Sequence, residues 1–208
     1  MTPELVKKWK IGLDERVWDL ERPAQIADCI RVAALHKYGG MWIDADTVCI
    51  DKLDCVFDTM QYTDFTCVID NVTDIPYNGF MAARAGNKRT GGWLDSINKL
   101  LRDTVNVAEI SVKFHLFGSE MLRFMTRDYK PMPMEWFFPF NFSNGNGKIF
   151  HEPIDIQTCI TPETKCIALS NSWLSSRPGD PYRRPVKEIA EDRNLMGSIM
   201  RYALENRK

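Results

Sequence analysis

Two adjacent glycines, Gly39 and Gly40, separate a helix-patterned stretch from a short apolar run, Met41-Trp42-Ile43, which ends in the carboxylates Asp44 and Asp46. Glycine interrupts a helix and commonly stands just past its end. The run after it is too short and too apolar for an amphipathic helix, so a buried strand is expected. Beyond the strand end the chain need not alternate faces, and carboxylates at i and i+2 can then reach one cation. Oxygen donors of this kind select magnesium or manganese over zinc.

The stretch before the glycines is the second constraint. Pro23 suits the first turn of a helix running to about Tyr38. On a helical wheel Ala24, Ala27, Asp28, Arg31, Ala34, Leu35 and Tyr38 share one side, so a carboxylate and a guanidinium lie three residues apart within an otherwise apolar face. Two readings stay open at this point. The pair fastens the helix internally as an ion pair, or both groups reach past the helix and hydrogen-bond a ligand.

Elsewhere the pattern is that of one α/β domain over residues 1–208. Glu4 to Leu20 suggests one or two short helices packed on something larger. Strands are expected at Val48 to Ile50, Phe65 to Ile69, Phe80 to Ala83, Trp136 to Phe140 and Cys166 to Leu169. A polar loop containing Asp70, Asn71, Asp74, Pro76 and Asn78 precedes Phe80, and Asn78-Gly79 at its end is expected as site-forming backbone. Thr90 to Asn106 carries Trp93, Ile97, Leu100, Leu101 and Thr104 at helical spacing, and His115 to Met125 suggests a helix starting near Gly118. Ser143 to Gly147 is expected to turn, and the segment from Val186 to Leu204 has a packing face made by Ile189, Met196, Ile199, Met200 and Ala203.

With 27 Lys plus Arg against 28 Asp plus Glu, the net charge is -1, and no global field favours nucleic acid or an acidic membrane. The six cysteines show no CxxC pair and no zinc-ligand spacing, so free thiols, mostly buried, are expected. The first ten residues hold no signal-peptide core, and no run reaches the ~20 apolar residues of a transmembrane segment, which points to a cytoplasmic protein.

Ala27-Asp28, Arg31, Leu35, Tyr38-Gly39-Gly40, Trp42 and Asp44-Ala45-Asp46 together resemble the DXD sugar-binding region of glycosyltransferase family 32 and the related capsular polysaccharide synthesis proteins. Downstream, Asn78-Gly79-Phe80-Met81-Ala82 is similar to the asparagine-bearing strand beside the family's sugar pocket. Phe117-Gly118-Ser119-Glu120 is similar to its acceptor-side helix start, and Ser172-Trp173 to its terminal clamp over the diphosphate.

The resemblance implies a GT-A-like (Rossmann-like) mixed sheet flanked by helices. It also implies a UDP- or GDP-sugar donor, a glycan or other hydroxyl acceptor, Mn2+ or Mg2+, and retention at the anomeric carbon. By the same resemblance Asp28 and Arg31 hold sugar hydroxyls, Asn78 and Gly79 line the pocket, and Asp44 contacts sugar or ribose and the metal through water. Asp46 ligates the metal directly, and no residue is nominated as the attacking base.

Two departures qualify the match. Residues 1–22 alone precede the Asp-Arg helix, where the family has a strand, helix and strand contacting the nucleotide base, so the first strand and part of the base pocket are expected to be missing. The family's histidine ahead of Ser-Trp is absent between Cys166 and Trp173, which leaves Asn171 as the nearest substitute metal ligand.

Ile43 to Val48 also resembles the first motif of haloacid dehalogenase phosphohydrolases, with Asp44 as nucleophile and Asp46 as general acid/base. The downstream lysine and closely spaced acidic pair of those enzymes have no convincing counterpart here, since Glu191 and Asp192 fall on a charged helix. A non-catalytic nucleotide- or glycan-binding module is the third reading.

Overall fold

The computed structural model describes residues 2–70, 74–113, 115–125, 128–139, 150–169 and 184–206. In chain order the elements are α1 (Pro3–Trp9), a 3-10 turn (Glu15–Asp19), α2 (Pro23–Tyr38), β1 (Gly40–Ile43), β2 (Thr47–Cys49), α3 (Asp54–Thr59), β3 (Phe65–Ile69) and β4 (Pro76–Ala83). Then come α4 (Lys88–Asp103), α5 (Val107–Ile110), a π turn (Leu116–Glu120), α6 (Met121–Phe124), 3-10 turns at Met134–Trp136 and Ile156–Thr158, β5 (Cys166–Ala168), α7 (Val186–Ala190) and α8 (Leu195–Glu205). The architecture is mixed α/β with small antiparallel sheets. It divides into two compact units, residues 1–43 with 55–132 and residues 44–54 with 133–208. Among the described residues no helix is long and apolar enough to cross a membrane.

The first unit is built on α2 and the sheet β1-β4-β3. Pro23 opens α2, and Gly39 ends it, its N–H donating to the Leu35 carbonyl at 2.9 Å. Gly39 has φ +66° and ψ −164°, a region open essentially to glycine alone. A Cβ there would lie 2.6 Å from the Ala85 nitrogen, so the chain turns from helix to strand in contact with the end of β4. β1 then pairs antiparallel with β4, from Gly40 opposite Ala83 to Ile43 opposite Phe80.

The β3–β4 register shifts between Cys67 and Val68: Cys67 pairs with Met81, but Val68 pairs with Tyr77. The residues skipped on β4 are Asn78, Gly79 and Phe80. The pair expected in a loop therefore lies inside a strand, at a bulge that re-aims its side chains.

α2 also differs from its expected wheel. Its buried residues are Gln25, Cys29, Ile30, Arg31, Val32, Ala33 and Leu35, while Ala24 and Tyr38 are exposed. A helix that is apolar nearly all round does not declare its inner face, and only packing selects one. α4 follows its pattern: Asn87 caps it by accepting from the Arg89 and Thr90 amides, and Trp93, Ile97 and Leu101 are wholly buried. The Trp93 indole N–H donates to the Phe117 carbonyl at 2.9 Å, so this large apolar side chain is buried with its one polar atom satisfied.

The second unit holds the β2–β5 ladder, with Thr47 opposite Ala168, Val48 opposite Ile167 and Cys49 opposite Cys166. Its core gathers Phe150, Ile156, Ile167, Leu169, Ile189, Leu195, Met196 and Ile199. Of the expected strand Trp136 to Phe140, Trp136 ends a 3-10 turn (Met134–Trp136), and Phe137, Phe138 and Pro139 follow it without forming a strand. Pro133 sets its entry, and the amides of Phe137 and Phe138 both return to the Met134 carbonyl. The Trp136 and Phe137 carbonyls accept from Lys165 and Ala168, so the segment lies beside β5 without extending as a strand. Residues 143–147 lie outside the described residues.

Gly39→Ala combines a disfavoured backbone with a clash and is expected to cost about 3 kcal/mol in urea-denaturation stability. Gly86→Ala, at φ +70° but with nothing within 4 Å of the added methyl, is expected to lose about 1 kcal/mol.

Candidate active site

In the first unit Arg31 is the centre of a polar cluster within an apolar surround. Its Nη2 lies 3.1 Å from Asp28 Oδ1, and its Nη1 donates to the Asn78 carbonyl at 2.6 Å. Its guanidinium stacks over the Trp42 ring, 5.2 Å from the centroid. The Asn78 amide donates to Asp28 Oδ1 at 2.8 Å, and the Ser119 hydroxyl donates to Asn78 Oδ1 at 3.3 Å. Only 6% of the Arg31 side chain and 13% of the Asp28 side chain meet solvent. The ion-pair arrangement anticipated for Asp28 and Arg31 is therefore present, and the bulge of β4 brings Asn78 to it.

Gly118 closes the cluster. A Cβ at this position would come within 2.3 Å of Asn78 Nδ2 and 2.8 Å of Asp28 Oδ2, so only glycine lets the Leu116–Glu120 turn pass this closely. Gly118 itself breaks the helical backbone there, where a plain helix start had been expected. Gly79 is buried beside Asn78. Cys29, adjacent to Asp28, is fully buried, and that burial, reinforced by the Asp28 charge, holds its thiol well above its usual range. Cys29 is thus a neutral packing group rather than a nucleophile.

In the second unit Asp44 and Asp46 lie on the turn that leads into β2. The Asp44 carbonyl accepts from the Thr47 amide at 3.1 Å, and the Asp46 carbonyl from the Leu169 amide at 2.9 Å. Both residues are partly exposed. Asp46 lines a pocket of about 260 Å3 with Val48, Leu169, Arg184, Ile189 and Met196, and Arg184 is itself held by both oxygens of Asp192, at 2.9 and 3.0 Å. The pair of carboxylates suits a hard divalent cation. Among the described residues no cluster of three or more His, Cys, Asp or Glu stands ready to complete a metal site. Asn171, Ser172 and Trp173 lie outside the described residues.

A family model described as "Capsular polysaccharide synthesis protein" matches residues 16–132, more than half of the chain. The chain belongs to the capsular polysaccharide synthesis protein family. The match takes in Asp28, Arg31, Asp44, Asp46, Asn78, Gly79 and Gly118, and it stops at Met132, the last residue of the first unit. The chain is also 30% identical over 88 residues to a curated protein named O-glycosyltransferase braB, from Annulohypoxylon truncatum. That alignment takes in 38% of this chain and 21% of the relative, so the chain spans only a fraction of that relative's length. No solved structure matches.

Sequence pattern had singled out Asp28 and Arg31 as a pair, and Asn78 by resemblance, but not the Trp42 ring under the guanidinium, nor Arg184 in the pocket with Asp46. Trp42 was visible as part of the family block, whereas Arg184 carries no local signal.

Asp28→Leu would remove a carboxylate partner 3.1 Å from a buried guanidinium and is expected to cost about 3–5 kcal/mol in denaturant unfolding. The double variant Asp28→Leu/Arg31→Met, which removes both charges at similar volume, is expected to recover most of that loss, giving a large coupling energy in the double-mutant cycle.

Proposed function

We propose that this chain is a glycosyltransferase that moves a sugar from a nucleoside-diphosphate sugar, a UDP- or GDP-sugar, to a hydroxyl of a glycan or other acceptor. The observation that carries the proposal is the family match, because the same 117 matched residues, 16–132, contain both the Asp28–Arg31–Asn78 cluster and the acid pair Asp44/Asp46. The partial similarity to a protein named as an O-glycosyltransferase supports it.

In this reading Asp28 and Arg31 bind sugar hydroxyls. A sugar presents alternating donors and acceptors, and the cluster offers a carboxylate that accepts and a guanidinium that donates. Arg31, tied to Asp28 and the Asn78 carbonyl and stacked on Trp42, cannot swing to follow a ligand, so its orientation is set before the donor arrives. Ser119 and Gly118 hold Asn78 in place from the other side.

Asp46, with Asp44 in support, is the proposed ligand of Mn2+ or Mg2+, with Asn171 as a further candidate. A divalent cation there would neutralise diphosphate charge and stabilise the departing nucleoside diphosphate. Ser172 and Trp173 are proposed to contact the diphosphate. In the reaction the bond between the anomeric carbon and the β-phosphate oxygen breaks, and the acceptor oxygen bonds to that carbon. The acceptor's proton is released and the nucleoside diphosphate leaves. A GT-A-like arrangement and retention at the anomeric carbon belong to the same proposal.

The test is incubation with UDP- and GDP-sugars and manganese, reading nucleoside diphosphate. Manganese-dependent release is expected from the unaltered chain, reduced about 100-fold or more in Asp46→Asn. Unchanged turnover in that variant would sink the metal assignment. Hydrolysis of a simple aryl phosphate with no release from the sugar donors would instead identify a phosphohydrolase.

A further inference from the structure

The β2–β5 ladder sets two cysteines face to face. Cys49 and Cys166 are direct register partners, and their sulfurs are 3.6 Å apart, with the Cys166 thiol donating to Cys49 Sγ. The Leu169 amide donates to the Asp46 carbonyl and the Ile50 amide to the Lys165 carbonyl, both at 2.9 Å. These bonds define the hydrogen-bonded pairs of the ladder, 46 with 169 and 50 with 165. Cys49 and Cys166 therefore fall at a non-hydrogen-bonded pair, where Cα atoms approach to about 4.5 Å and side chains are closest. That separation lies within the ~4.4–6.8 Å a disulfide spans without backbone movement.

The two thiols differ in access. Cys166 is fully buried, whereas Cys49 is exposed and lines a pocket of about 530 Å3 with Asp51, Lys52, Thr161 and Tyr202. The hydrogen bond from Cys166 lowers the Cys49 thiol to about 7, against the opposing effect of its partial burial. An accessible thiolate beside a protonated, buried partner is the division of labour between an attacking and a resolving cysteine.

We propose that Cys49 and Cys166 form an oxidisable dithiol that closes a disulfide across the β2–β5 ladder on exposure to a hydroperoxide. The Cys49 thiolate attacks the peroxide, the O–O bond breaks, and Cys49 becomes a sulfenic acid as hydroxide leaves and takes up a proton. The Cys166 sulfur then attacks the Cys49 sulfur, the S–S bond forms, the S–OH bond breaks, and water departs with the Cys166 proton. Hydrogen peroxide is reduced to two waters and the two thiols are oxidised to one disulfide. The bond pins the ladder whose first strand follows directly on Asp46, and it is independent of the glycosyl-transfer proposal.

Hydrogen peroxide added to the full chain, followed by alkylation and non-reducing peptide mass analysis, tests this directly. The expected result is a fall from six alkylatable thiols to four, a linked peptide containing Cys49 and Cys166 in monomeric protein, and a higher melting temperature that dithiothreitol reverses. In Cys166→Ala the linked peptide is expected to vanish, and Cys49 to be trapped by dimedone as the sulfenic acid. Disulfides that join Cys49 to Cys55 or Cys159, or a Cys49 oxidised in the unaltered chain while Cys166 remains alkylatable, would overturn the proposal.

Discussion

The first unit depends on one buried guanidinium. Taking Arg31 out of water costs several kilocalories per mole unless its donors and its charge are met. Each element around it supplies part of that compensation. α2 supplies Asp28 one turn earlier, β4 supplies the Asn78 carbonyl, and β1 supplies the Trp42 ring. The β4 bulge and the non-helical Gly118 are local departures from regular structure, and both occur where a chain has to reach the Arg31 cluster. The regular parts of the unit place the cluster, and the irregular parts complete it.

A cluster built this way has a property useful for recognition. Its groups are oriented by contacts with one another rather than by a ligand, so binding need not pay again to order them. The same interactions tie stability to any sugar-binding role proposed for Asp28 and Arg31, because removing either one takes an ionic partner from the other. The acid pair is a different kind of feature. Asp44 and Asp46 sit on a partly exposed turn whose main chain is held by hydrogen bonds to Thr47 and Leu169.

Legibility followed the locality of the forces. α2, β1 and α4 were readable as elements because a proline at the first turn, a glycine at the end, or an apolar repeat specifies them over a few residues, although β1 is only partly buried and not the buried strand expected. Trp136-Phe137-Phe138-Pro139-Phe140 misled because hydrophobicity alone does not separate a strand from a buried turn, and Pro133 with the Met134 carbonyl decided for the turn. Asn78-Gly79 looked like loop because those residue types favour turns, but here they form a bulge in a strand held on both sides. The buried face of α2 could not be ranked from a pattern that is apolar on almost every side.

The sequence by itself determined the helix–glycine–strand–acid order from Pro23 to Asp46, the family block within it, and the pairing of Asp28 with Arg31. Those depend on residue type and short-range spacing, which the chain carries in one dimension. Only the tertiary structure decided that Arg31 is buried against Trp42, that Gly118 must lack a side chain, and that Cys49 meets Cys166. These are contacts between residues far apart in the chain, and their distances are set by strand register and by the close packing of whole elements.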